Sequence, residues 1–168
     1  FVSKGKTRVP ASPLAIAGGG SGTPSDANAN PGSSNELPTG GLSPTNGIGY
    51  GGGDSQGPGG GGWLSDGTDY GNMQSGGHGF KSLNTPLIGG DGDHGDGGFG
   101  GGSGGMDERG TAGGGYTGGT GRDGGTHGGQ SSFNTGSGGG GGSYNSGTEQ
   151  INLAGANNGH GKVVVSLL

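Results

Sequence analysis

Cysteine is absent from the 168 residues. That excludes a disulfide-stapled scaffold and any cysteine-ligated zinc site, and it leaves the redox compartment open. Charge is scarce at 11% of residues, with a net balance of −5 and a pI near 5.1. Seven scattered Lys and Arg make no basic stripe, so phosphate-backbone binding is excluded, and Arg8, Arg109 and Arg122 are too few for Arg-Gly-Gly RNA-binding repeats. No run of eighteen apolar residues exists to span a membrane as a helix. Hydrophobic residues make up 22%, and Leu, Ile, Val and Phe together number 22, too few for an ordinary apolar core. Only 8 prolines are present and the glycines cluster in runs, which excludes a collagen triple helix.

What the chain has is glycine, 55 residues of it. Such runs do not hold an α-helix, because each glycine costs about 1 kcal/mol relative to alanine. They also make weak strands, having no side chains to pack. Low net charge argues against simple disorder. The remaining option is the polyproline-II conformation, with three residues per turn and a rise of about 3.1 Å. Without Cβ atoms, several such helices can pack closely and bond N–H to C=O between neighbours. The predicted fold class is therefore mostly irregular, a bundle of polyglycine-II helices with a few flanking β-strands and almost no α-helix.

A repeat runs through the glycine tract. Trp63, Phe80, Phe99, Tyr116 and Phe133 are spaced by 17, 19, 17 and 17 residues, most of them just after glycine, and Tyr144 follows sooner. A period of this length accommodates an outward pass, a turn and a return. The aromatics are expected to gather at one end or face as an apolar cap. Four regions follow: a strand pair over 1–17, with a turn at Lys4-Gly5-Lys6; a Gly/Pro/Ser/Asn loop over 18–60; the bundle over 61–158; and a terminal strand over 159–168. The chain opens on Phe1 instead of Met, as expected of a processed or excised piece.

The order of the motifs carries a resemblance. Pro13-Leu14-Ala15-Ile16-Ala17-Gly18-Gly19-Gly20 comes first, then Gly59-Gly60-Gly61-Gly62-Trp63 and Gly97-Gly98-Phe99-Gly100-Gly101-Gly102. Gly113-Gly114-Gly115-Tyr116-Thr117-Gly118-Gly119 and Gly159-His160-Gly161-Lys162-Val163-Val164-Val165 complete it. Over nearly its whole length the chain resembles the glycine-rich extracellular region of the anaplastic lymphoma kinase and leukocyte tyrosine kinase receptors. The resemblance implies a polyglycine-II bundle inserted in a tumour-necrosis-factor-like β-sandwich whose last strand is 162–168, an extracellular location, and a part in ligand binding. The chain departs from that family in lacking every cysteine and most of the sandwich. Similar modules occur in bacterial proteins and phage tail-fibre adhesins.

Chemistry-bearing residues are sparse. Asp91, Asp93 and Asp96, with His94 among them, are the densest acidic cluster and the weak candidate for Ca²⁺, although the EF-hand pattern fails for want of its later Glu. Gly118 to Asp123 begins like a calcium β-roll repeat but has Gly125 where a large apolar residue is needed. His78, His94, His127 and His160 lie in separate turns with no recognisable triad, and no Walker lysine follows the glycine loops. The chain is expected to be no enzyme. Trp63, Tyr70, Phe80, Phe99 and Tyr116 are the candidate binding anchors, with capping of the bundle as their alternative role.

Val163, Val164, Val165, Leu167 and Leu168 form a continuously apolar run that needs cover on both faces. They are the candidate assembly residues, expected to pair with a second copy or with the rest of a longer chain. The function expected is an extracellular structural or adhesive module that self-associates or presents turns to a partner, whether another protein chain, a cell-surface receptor or a glycan. A receptor-ectodomain fragment or a phage fibre-tip adhesin is the alternative.

Overall fold

The computed structural model describes residues 2–4, 12–22, 32–37, 57–70, 74–80, 88–93, 95–105, 110–121 and 138–156. These residues contain no helix, and their strands form one small sheet. Strand β1 (Val2–Lys4) pairs antiparallel with β2 (Ser12–Ile16), as the apolar stretches at the chain start predict. A third strand, β3 (Tyr144–Asn145), pairs antiparallel on the other side of β2 through Ala15–Asn145 and Ile16–Tyr144. The sequence had not disclosed β3: two residues beside a glycine run carry no strand pattern of their own. The terminal run at 159–168 lies outside the described residues.

Most of the other described residues form glycine-rich passes joined by backbone hydrogen bonds. Consecutive residues of one pass bond to different neighbours. Gly59, Gly60 and Gly61 donate to the carbonyls of Thr68, Gly119 and Gly101, which lie on three separate segments. Three residues after Gly60, Trp63 donates to Tyr116, three residues before Gly119. Acceptors step the same way: Thr111, Ala112 and Gly113 receive from Gly22, Ser103 and Gly119, and Gly114 then returns to Gly19. A β-ladder alternates between two partners with a period of two. Here the partners are three and the period is three.

The stepping also fixes directions. Gly77 and Phe80 donate to Gly59 and Gly62, and Gly113 and Tyr116 donate to Gly139 and Gly142, so each of these pairs of passes runs parallel. The 116–121 stretch is antiparallel to two others, through Gly60–Gly119 and Trp63–Tyr116 on one side and Gly139–Thr120 and Gly142–Thr117 on the other. The 17–22 pass is antiparallel to 110–115 through Gly19–Gly114 and Gly22–Thr111.

Glycine is obligatory because the backbones touch. A Cβ on Gly60 would be driven into the Gly113 carbonyl, on Gly77 into that of Gly101, and on Gly119 into that of Gly139. Several of the side chains buried in the array are small. Thr117 and Thr120, three apart on one pass, are fully buried, and buried Ser103 and Ala112 bond each other reciprocally through Ser103 N–H to Ala112 O and Ala112 N–H to Ser103 Oγ. The array does not begin at 61: passes at 17–22, 32–35 and 57–60, within the tract expected to be a loop, are bonded into it. Ser33 donates to the Gly141 carbonyl, and Ser143 Oγ receives the Gly18 amide and donates to the Ser33 carbonyl.

Candidate functional site

Parallel passes deliver their following residue to the same end. The passes ending at 62, 79, 115 and 143 are followed by Trp63, Phe80, Tyr116 and Tyr144, while Ile16 stands just before the antiparallel 17–22 pass. Trp63 stacks on Phe80 with centroids 4.2 Å apart and planes 13° from parallel, and Tyr116 stacks on Tyr144 at 4.7 Å and 27°. Together with buried Ile16 they form the apolar cluster between the sheet and the glycine array. Tyr116 holds its proton more firmly than an ordinary tyrosine, first because burial penalises the phenolate, then through the charges of Glu36 and Tyr144.

The candidate anchors separate. Trp63 is 4% exposed, so packing occupies its ring, and Phe80 and Tyr116 are half-buried in the same cluster. Tyr70 is half-buried at a bridge to Gln74. Phe99 stands apart from the cluster at 88% exposure. It belongs to a turn that is itself bonded: Gly102 N–H reaches the Gly98 carbonyl, Gly97 that of Gly90, and Gly105 that of Gly95. Gly100 and Gly101 take φ of 105° and 87°, conformations that side chains other than glycine rarely adopt, and these let the chain reverse immediately after Phe99. The turn therefore presents a large aromatic side chain on ordered backbone. Phe133 lies outside the described residues.

Asp91, Asp93 and Asp96 are exposed, and Asp93 Oδ2 accepts a hydrogen bond from Gln74 Nε2 at 3.0 Å. Among the described residues no three His, Asp or Glu converge as a metal site. His94, Arg122 and Asp123 lie outside them, as do the candidate assembly residues Val163, Val164, Val165, Leu167 and Leu168. His78 Nδ1 sits 3.6 Å from Asp66 Oδ2, buried and without a hydrogen-bond partner. The other oxygen, Asp66 Oδ1, receives the Gly79 amide at 2.7 Å. This ties the 63–66 turn to the end of the next parallel pass, a role that no sequence motif announces.

No helix of the described residues is long and apolar enough to cross a membrane. Compared with known proteins, the chain matches no family model, no curated protein and no solved structure.

Proposed function

We propose that the chain is a non-catalytic extracellular module in which a stiff bundle of polyglycine-II helices presents ordered turns to another protein chain. The observation that carries this reading is the three-residue stepping of hydrogen bonds, with Gly59, Gly60 and Gly61 donating to three separate segments. A three-residue turn points successive N–H groups about a third of a revolution apart, which is the geometry of the polyproline-II family. Dense bonding of this kind offsets the large entropy that glycine loses on ordering. The resulting frame is stiff, and stiffness makes its turns useful, since an anchor already held in place loses little freedom on binding. Phe99 is the leading anchor because it is large, exposed and carried on bonded backbone. The extracellular setting rests on the resemblance in motif order to the kinase-receptor glycine-rich region.

Binding of the labelled chain to a panel of cell surfaces, with wild type and Phe99→Ser side by side, tests the reading. Loss of a central aromatic anchor costs about 2 kcal/mol, roughly thirtyfold in affinity. Equal binding by the two proteins removes Phe99 from the interface, and a chain without a cooperative thermal transition removes the stiff bundle altogether.

A further inference from the structure

Charge is unevenly placed along this chain. Between Lys81 and Arg109 the sequence holds five acidic residues, Asp91, Asp93, Asp96, Asp107 and Glu108, and no Lys or Arg. The remaining residues carry seven charges of each sign, so the whole net charge of −5 belongs to the stretch that contains Phe99. A field of one sign around one turn favours partners of the other sign.

Backbone hydrogen bonds bring part of this charge to the base of the Phe99 turn. Gly90 donates to the Gly102 carbonyl and accepts from the Gly97 amide, so both limbs of the turn are bonded to the residue beside Asp91. The Asp91 carbonyl in turn accepts the Ser75 amide, which fixes that backbone in the array. Asp96 stands three residues before Phe99, at most about 10 Å along the chain. That distance is of the order of the screening length, about 8 Å in physiological salt. Asp91 and Asp96 are exposed, and neither pairs with a basic side chain among the described residues.

We propose that the partner of the Phe99 turn is a cationic protein surface: an apolar pocket that takes the ring, rimmed by Lys or Arg that meet Asp91 and Asp96. This rests on the reading of Phe99 as an anchor and adds the chemistry of what the ring meets. Charge complementarity carries it. A ring flanked by carboxylates repels nucleic acids, anionic lipids and sulfated glycans and attracts basic groups, and an Arg guanidinium can also stack on the ring face. The two kinds of residue then act on different rates. A seated aromatic anchor governs how long the complex lasts, whereas rim charges govern how fast it forms and how strongly salt weakens it.

The test selects binders of the full chain, in physiological salt, from a displayed library of one small folded domain with a randomised surface. Clones that lose about tenfold or more in affinity for Phe99→Ser are kept. They are expected to carry an excess of Lys and Arg over the unselected library. Against Asp91→Asn with Asp96→Asn their association should slow about fivefold, with dissociation changed by less than about twofold, and the difference should shrink as salt is raised. Phe99-dependent clones that are neutral or acidic, or that associate equally fast with the double Asn variant, overturn the cationic partner while leaving Phe99 an anchor. A selection that yields only clones indifferent to Phe99→Ser overturns the anchor itself, and the cationic partner with it.

Discussion

At the scale of single residues, the chain is governed by what a Cβ would strike. Gly77 faces the Gly101 carbonyl, whereas a Cβ on Gly98 would meet nothing within 4 Å. Gly77→Ala is therefore expected to destabilise by about 1–3 kcal/mol or more, the usual cost of overpacking. Gly98→Ala should be neutral or gain about 0.4–1 kcal/mol by restricting the unfolded chain. Paired thermal melts of the two variants decide it, and similar losses at both positions would count against the close approach of the passes. Tyr116 gives a second residue-scale outcome. Its folded pKa is raised above the ordinary 10.0, so the folded state keeps the proton longer than the unfolded chain does. That stability is complete below the unfolded value and is lost as pH rises through the folded one. Unfolding followed from pH 9 upward should show this alkaline loss shrinking in Tyr116→Phe, which keeps the stack and removes the ionisable group.

At the scale of elements, each parallel pass ends in an aromatic, and the stacks hold the ends together. Trp63 is the most deeply buried of these rings and stacks on Phe80. Trp63→Ala should cost about 3–5 kcal/mol, the range for removing a large core ring, read as a fall in melting temperature with loss of the near-ultraviolet tryptophan signal. A loss below 1 kcal/mol would mean that the cluster is peripheral to stability. The period of aromatics in the sequence foretold that such residues would meet, because a regular spacing delivers them to equivalent points of successive passes. It did not tell Phe99 from the rest. Phe99 follows a short return at 97–98 and is turned outward by the left-handed Gly100 and Gly101, and a sequence one-third glycine does not disclose which glycines adopt that conformation. The first two strands were legible from Val2 and the Leu14–Ile16 stretch. Strand β3 was not, since its pairing with β2 depends on the array bringing residue 144 back to Ile16. For the same reason the passes at 17–22 and 57–60 read as loop in the sequence: several of their partners lie dozens of residues away, as with Gly19 and Gly114 or Gly60 and Gly119.

At the scale of the whole molecule, a glycine-rich array whose described residues bury few apolar side chains depends on backbone hydrogen bonds between distant segments, so local damage should spread. The melt of the intact chain is expected to be cooperative, and Gly77→Ala and Trp63→Ala should lower one shared transition instead of dividing it. Two separated transitions would mean that the aromatic end and the glycine array fold as independent units. The bonding of consecutive residues to three different neighbours is open to direct observation by through-hydrogen-bond scalar couplings in isotope-labelled protein. Correlations are expected from the amides of Gly59, Gly60 and Gly61 to the carbonyl carbons of Thr68, Gly119 and Gly101. Amides of 59–61 that couple to a single neighbouring segment, as in a β-ladder, or that show no coupling at all, would contradict it.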